Sequence, residues 1–328
     1  MIAVLLKQEG GIKGVSYHRL YVPFKNLQDK GYNVKFFENL SEMTDQDLQQ
    51  CRAVVTSRGF MPKVPYSEFK RAMLAFGIQI VLDQDDYWKL DKWHPMYEVF
   101  RQTQKEQTIY DSIYHSDWIT VTHEKLAKKV TKLDKKKRVL VIPNAIDASQ
   151  DQWKLVKNES DKLRFGYIAG ASHTKDLEEL NGYNFKANNK ELVVADVMDY
   201  KELLGASTVL KTRDTSNYGK LYRDVDVSLA PLKSTEFNKM KSELKVLEAG
   251  FSKTAFIGSN IHPYTRLIKN GVNGILCSNE KEWIEAINSL SKERAKELGE
   301  ELYKTVQEFE INRVNRIREK FFFDFNKD

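Results

Sequence analysis

An uninterrupted apolar run opens this chain at 2–6 (IAVLL), and further strand-like, largely apolar runs follow at 34–37, 53–56 (AVVT), 78–82 (IQIVL), 118–122 (WITVT) and 139–142 (VLVI). A run without polar alternation suits a strand covered on both faces. Helix-like stretches separate most of the runs, the first at about 16–30 and closed by Gly31. Strands alternating with helices predict a parallel sheet with helices packed on it. Residues 147–160 are polar with no apolar period and read as a linker. The pattern then restarts, with strands expected at 164–168 (RFGYI), 192–195 (LVVA), 208–210 (TVL), 225–230 (VDVSLA), 254–257 and 274–277. A long charged helix is expected at 294–323. The expectation is an α/β protein of two Rossmann-like domains, 1–150 and 151–305. A C-terminal crossover helix, 306–328, then packs back on the first domain.

The segment 238–250 carries the sharpest chemistry. Asn238 suits an N-cap and Gly250 a stop just past the helix. Met240, Leu244, Leu247 and Phe251 form one apolar stripe, and Lys241, Lys245 and Glu248 a neighbouring charged one. A helix start offers unpaired N–H groups and the positive end of the dipole. Lys241 in that first turn has the wrong sign for the dipole, and a bound diphosphate would remove the conflict. Glu248 could then accept hydrogen bonds from ribose hydroxyls. The plainer reading is an amphipathic helix with solvated lysines.

The same residues, FNKMKSELKVLEAG at 237–250, resemble the nucleotide-binding motif of family 4-like GT-B glycosyltransferases (glycosyl transferases group 1). The Phe-Asn-x-x-Lys-Ser form resembles a divergent branch common in bacteria and their phages. In that family one glutamate binds the sugar and a second, eight positions on, binds the ribose. Glu248 matches the second; Met240 stands at the first, so the acidic position is absent or displaced to Glu236 or Glu243. Further segments agree in order and spacing: 141–147 (VIPNAID) with the family's IPNGVD, then 165–177, 222–232, 257–259 and 271–275.

The resemblance implies a GT-B fold and transfer of a sugar from a nucleoside diphosphate sugar, UDP- or GDP-linked, with retention of configuration. It implies no metal and no cofactor beyond the donor substrate. The acceptor stays open: a glycan, a lipid-linked precursor, a protein, or DNA bearing hydroxymethylated bases. Met240 keeps a non-catalytic nucleotide-sugar-binding protein in view. A Rossmann oxidoreductase is the third class, and the G-G-x-x-G spacing at 10–14 is a poor match to its G-x-G-x-x-G fingerprint.

Other candidates follow strand ends. Gly10, Gly11 and Gly14, with His18 beyond them, are assigned to an acceptor-side cleft loop, or to a simple turn. Asp85 and Asp86 lie in a D-Q-D-D run after the fourth strand, as acceptor contacts, a base, or a loop cap. The D-x-D pattern is also a GT-A metal signature, but it sits in the half without the nucleotide helix. His123 faces the donor sugar or caps the helix after it. Gly170, Ser172 and His173, then Lys211 and Arg213, and finally Lys241, Ser242, Glu243 and Glu248, make up the expected donor set.

Composition changes this picture little. The net charge of +6 permits an anionic partner, and much of it falls at Lys125, Lys128, Lys129, Lys132, Lys135, Lys136, Lys137 and Arg138. That run is either a solvated helix face or a dock for an anionic acceptor or a membrane surface. Two distant cysteines, Cys51 and Cys277, suggest no disulfide framework. No apolar stretch reaches membrane-spanning length, and the start lacks a basic signal-peptide region, so a cytoplasmic location is expected.

Overall fold

The first apolar run becomes β1 (Ile2–Leu5), with every side chain buried. It is joined by β2 (Val34–Phe37), β3 (Ala53–Ser57), β4 (Gln79–Gln84), β5 (Trp118–Val121) and β6 (Arg138–Val141). They pair in parallel in the order β2-β1-β3-β4-β5-β6. The computed structural model describes residues 1–6, 12, 14–58, 60, 62–169, 171–180, 183–195 and 204–324, with the side chains of 171–174 outside that description.

The connecting helices are α1 (Val22–Asp29), α2 (Asp45–Gln50), α3 (Tyr66–Ala75), α4 (Tyr97–Gln102), α5 (Lys105–His115) and α6 (Glu124–Leu133). From β3 to β6 the chain steps in one direction, so right-handed crossovers put α3, α5 and α6 on one face. The step from β1 to β2 runs the other way and puts α1 on the opposite face. The cores agree. Phe69 and Met73 of α3 pack on Ala3, Leu5, Val54 and Ile80. Leu20, Phe24 and Leu27 pack on Ile2, Val4, Val55 and Val81. The helix expected at 16–30 is two pieces, a π-type turn Ser16–Tyr21 running into α1, with Gly31 in the left-handed region (φ 89°) just after it.

The second sheet holds β7 (Arg164–Tyr167), β8 (Glu191–Ala195), β9 (Thr208–Leu210), β10 (Val227–Ala230), β11 (Ala255–Ser259) and β12 (Ile275–Cys277). It is parallel throughout, in the order β12-β11-β10-β7-β8-β9. Its helices include α7 (Leu244–Phe251), α8 (Glu280–Ser289) and α9 (Lys292–Val306). Asn279 and Ser291 cap the last two by accepting from Glu282 N and Arg294 N. The stretch 147–160 is not a solvated linker. Trp153 is buried, Gln152 Oε1 accepts from Gly219 N at 3.0 Å, and Lys157 donates to Tyr222 O and Val225 O.

The helix expected at 294–323 is broken. After α9 comes a 3-10 turn, Gln307–Phe309, then Glu310 in an extended conformation (ψ 140°), then α10 (Ile311–Phe323). The break divides the chain by contact. One compact unit is Met1–Leu90, Glu98–Ala145 and Ile311–Asp328; the other is Asp91–Tyr97 and Ile146–Glu310. In the first unit Asn315 of α10 donates to Pro23 O (2.9 Å) and Asn26 Oδ1 (2.8 Å), and the Phe322 ring lies 5.3 Å from Phe24. Among the described residues no helix is long and apolar enough to cross a membrane.

Candidate functional site

In an open parallel sheet, ligands bind beyond the carboxyl ends of the strands where the strand order reverses. In the second unit that point lies between β7 and β10: the chain leaves β7 toward β8 and β9, then returns to β10 on the other side. Two segments border it. One follows β7 and contains the 3-10 helix Ala171–Leu180; the other follows β10 and leads to α7. Both belong to the expected donor set. Gly170 lies outside the described residues, as do the side chains of Ser172 and His173, whose backbones fall in that 3-10 helix.

The segment before α7 differs from the expected helix 238–250. Asn238–Met240 is a 3-10 turn, Lys241 is extended (ψ 162°), and the α-helix starts at Leu244 after Glu243. Asn238 therefore caps no α-helix. Its Nδ2 donates to Asp176 Oδ1 (2.8 Å) and to Lys233 O (3.0 Å). Asp176 Oδ1 also accepts from Lys233 N (3.0 Å), so one buried carboxylate stitches the two bordering segments together. Lys241 precedes the helix rather than occupying its first turn. Its ammonium lies 4.6 Å over the Phe237 ring, and no carboxylate among the described residues pairs with it. Glu243 is fully buried and accepts from Arg266 Nη1 at 2.7 Å, while Ser242 is half-buried.

Glu248 lies on the buried side of α7. Its Oε2 accepts from Lys245 Nζ (2.8 Å) and Tyr222 Oη (3.1 Å). Lys245 also reaches Tyr218 Oη (2.7 Å), which donates to Ile168 O at the end of β7 (2.9 Å). Burial pushes the Tyr218 phenol up to about 12. Burial opposes the Lys245 charge, but Glu248 beside it more than offsets this and holds the ammonium well above its ordinary range. Only Oε2 is used: among the described residues nothing donates to Oε1. Gly250 is no helix stop. It lies inside α7, where an added Cβ would come within 2.7 Å of Val306 Cγ1, so its bareness lets α7 press against α9.

Residues 141–293 match the family model described as glycosyl transferases group 1. The match falls almost wholly within the second unit. The chain also shares its fold with solved structures of low sequence identity. Anabaena HepE, solved with UDP and glucose, matches at TM-score 0.66 and 14% identity over 99% of this chain and 100% of that one. A glycosyltransferase from Rickettsia africae matches at TM-score 0.64 and 12% identity over 100% and 98%. S. aureus TarM, solved with UDP among its ligands, matches at 0.58 and 15% identity. There the chain covers 84% of itself and about half, 55%, of TarM. The fold is GT-B. No curated protein sequence matches the chain.

The first unit gathers charge at the carboxyl ends of β3 and β4. Arg58, just past β3, lies with Nε 2.8 Å from Asp85 Oδ1, and its Nη2 donates to Asp86 Oδ2 at 3.1 Å. Burial raises the Asp85 carboxyl to about 6, against the pull of Arg58 and with help from Asp86 and Asp83. Asp83 is a structural anchor: Arg19 grips it with two bonds (2.9 and 2.8 Å), and Thr120 Oγ1 adds a third (2.7 Å). His123 is buried, and its Nδ1 accepts from Leu126 N at 3.2 Å, which makes it the N-cap of α6. His18 is half-buried, edge-on to Tyr17. Gly14 is exposed with φ 48°, whereas Gly10 and Gly11 lie outside the described residues. Lys211 and Arg213 are exposed past β9, the sheet edge, with β8 between them and β7.

The sequence reading passed over Arg19, Arg58, Asp176, Tyr218, Tyr222 and Arg266. Only topology brings them to the strand ends, and no local spacing marks them. Among the described residues no three histidine, cysteine or carboxylate side chains converge as a metal site.

Proposed function

We propose that the enzyme transfers a glycosyl group from a UDP-sugar to an acceptor hydroxyl, with the donor seated in the second unit at the β7/β10 crevice. The observation that carries this reading concerns Lys241, an ammonium with no carboxylate partner among the described residues, and Glu248, a buried carboxylate with one oxygen to which no described residue donates. Lys241 and the opening N–H groups of α7 suit a diphosphate, whose charge grows as the bond to the sugar breaks. Glu248 Oε1 suits a ribose hydroxyl, while Lys245 and Tyr222 hold the carboxylate still. The UDP bound in HepE and TarM supports uridine as the nucleoside of the donor.

With those groups supplying the positive charge, the reaction needs no divalent cation, and the resemblance of 237–250 to the family motif supports retention. In the first unit Asp85 is the carboxylate suited to orient and deprotonate the acceptor, with Arg58 fixing its position. A panel of UDP- and GDP-sugars tests the reading, with release of free nucleotide as the readout. Glycan, lipid-linked, protein and hydroxymethylated-DNA acceptors are offered in turn. Acceptor-dependent UDP release supports it; binding without turnover on any acceptor points to a non-catalytic sugar-nucleotide binder.

A further inference from the structure

The lysine-rich run has a place in the first unit that the transfer reaction does not use. Because α3, α5 and α6 lie side by side on one face, their C-termini emerge together at the amino ends of β4, β5 and β6. Asp85 and His123 follow the carboxyl ends of β4 and β5. Six-residue β4 alone separates the two ends by about 20 Å at roughly 3.3 Å per residue.

Four of the six exposed large apolar residues described in this unit gather at the amino end: Leu74 (67% exposed), Phe76 (51%), Tyr114 (68%) and Leu133 (43%). Bonds tie the three helix ends together. Lys70 of α3 pairs with Asp117 before β5. Lys137 before β6 donates to Ser116 O at 3.0 Å and lies 5.5 Å from the Tyr114 ring. Lys132, Lys135, Lys136 and Arg138 surround these residues, all exposed. A cavity of about 360 Å³ opens at the same end, lined by Arg52, Gln79, Trp118 and Arg138 among others, with the Arg138 guanidinium 5.4 Å over the Trp118 ring.

We infer that this end of the first unit docks on an anionic lipid surface. Exposed leucines and aromatic rings ringed by lysines complement a negatively charged interface, the rings and leucines entering the headgroup layer and the ammonium groups meeting lipid phosphates. The aliphatic pair, Leu74 and Leu133, decides for lipid over nucleic acid, because bases stack on rings and gain nothing from leucine. The distance from the strand ends that carry Asp85 makes the patch an anchor rather than an acceptor seat. The inference stands whether or not the transfer reading holds.

Co-sedimentation of the full chain with vesicles tests it. Vesicles containing phosphatidylglycerol should carry the protein down and phosphatidylcholine vesicles should not, with binding falling as salt rises. Each surface lysine contributes roughly fivefold in partitioning, so Lys135→Ala with Lys136→Ala should lose roughly 25-fold. Leu74→Ser with Phe76→Ser should also release the protein, while Val272→Ser in the other unit should leave binding unchanged. All are surface changes, and an unaltered melting curve confirms the fold. Failure to bind anionic vesicles overturns the inference. So does equal binding to neutral ones, or binding that survives both patch variants. Duplex DNA held through the lysines, with no effect from the serine pair, would assign the patch to nucleic acid instead.

Discussion

Asn238 and Asp176 are 62 residues apart in sequence and joined by a 2.8 Å hydrogen bond, both side chains nearly inaccessible to solvent. The bond links the segment after β7 to the segment after β10, the two borders of the crevice assigned to the donor. Asp176→Ala takes the acceptor from Lys233 N and one of two from the Asn238 amide, which keeps Lys233 O, a cost of about 1–3 kcal/mol for a buried unsatisfied donor. The expected result is a lower melting temperature together with weaker UDP affinity. Asp176→Asn keeps an acceptor oxygen and should recover part of both, measured by calorimetric melting and titration.

Lys245 and Glu248 predict a different signature. Removing the carboxylate in Glu248→Leu leaves a cation facing two buried phenols. Breaking a buried pair costs about 3–5 kcal/mol, but Lys245 is 28% exposed, and water reduces the effect. A loss of up to about 3 kcal/mol is expected. Lys245→Met combined with Glu248→Leu should recover part of it in denaturant titrations. Neither protein should regain donor affinity, which separates the binding role of Glu248 from its contribution to stability.

The Asp85 carboxyl predicts a pH dependence. Burial raises it from 3.8 to about 6 in the folded chain. The folded protein thus keeps a proton that the unfolded chain releases near its ordinary value. The stability this group contributes is present below about pH 4 and lost as pH rises through 6. In the proposed role as base Asp85 acts in its ionised form, so activity should climb through the same interval. Asp85→Asn should abolish most turnover and remove the falling limb of the stability curve, while leaving UDP affinity unchanged. An unaltered pH–rate profile in that variant would exclude Asp85 as the base.

Gly250 tests the packing of α7. A methyl group there meets Val306 at 2.7 Å, inside contact distance. Overpacking of this kind costs about 1–3 kcal/mol, so Gly250→Ala should lower the unfolding free energy by that amount, read as an earlier denaturation midpoint. Val306→Ala should partly rescue it in the double variant.

Much of this architecture is legible without coordinates. β1 and β4 announce themselves because strands buried on both faces carry no polar alternation. The residues of 237–250 also mark the segment that borders the β7/β10 crevice, the seat proposed for the donor. The helix boundary there is not. Asn238 has the chemistry of an N-cap but spends its amide on Asp176, a tertiary partner invisible to local spacing, and Gly250 has the chemistry of a stop but answers to Val306. The break at 307–310 escapes for a related reason. No proline or glycine marks it, and the turn is held by a tertiary bond from Ile146 N to Phe309 O that local spacing does not reveal. His123 allowed two readings, and its bond to Leu126 N shows the cap. The Arg58 cluster needed the order β3-β4 to bring residue 58 beside 85 and 86.

The seat of the donor diphosphate is the claim on which the rest turns, and calorimetric titration of UDP into the wild type and Lys241→Ala tests it most directly. Among the described residues Lys241 holds no carboxylate and supports no buried network, so its removal should leave the melting temperature in place while UDP binding weakens about tenfold or more, the worth of one charge-assisted contact. UDP binding of equal strength in the two proteins would contradict it.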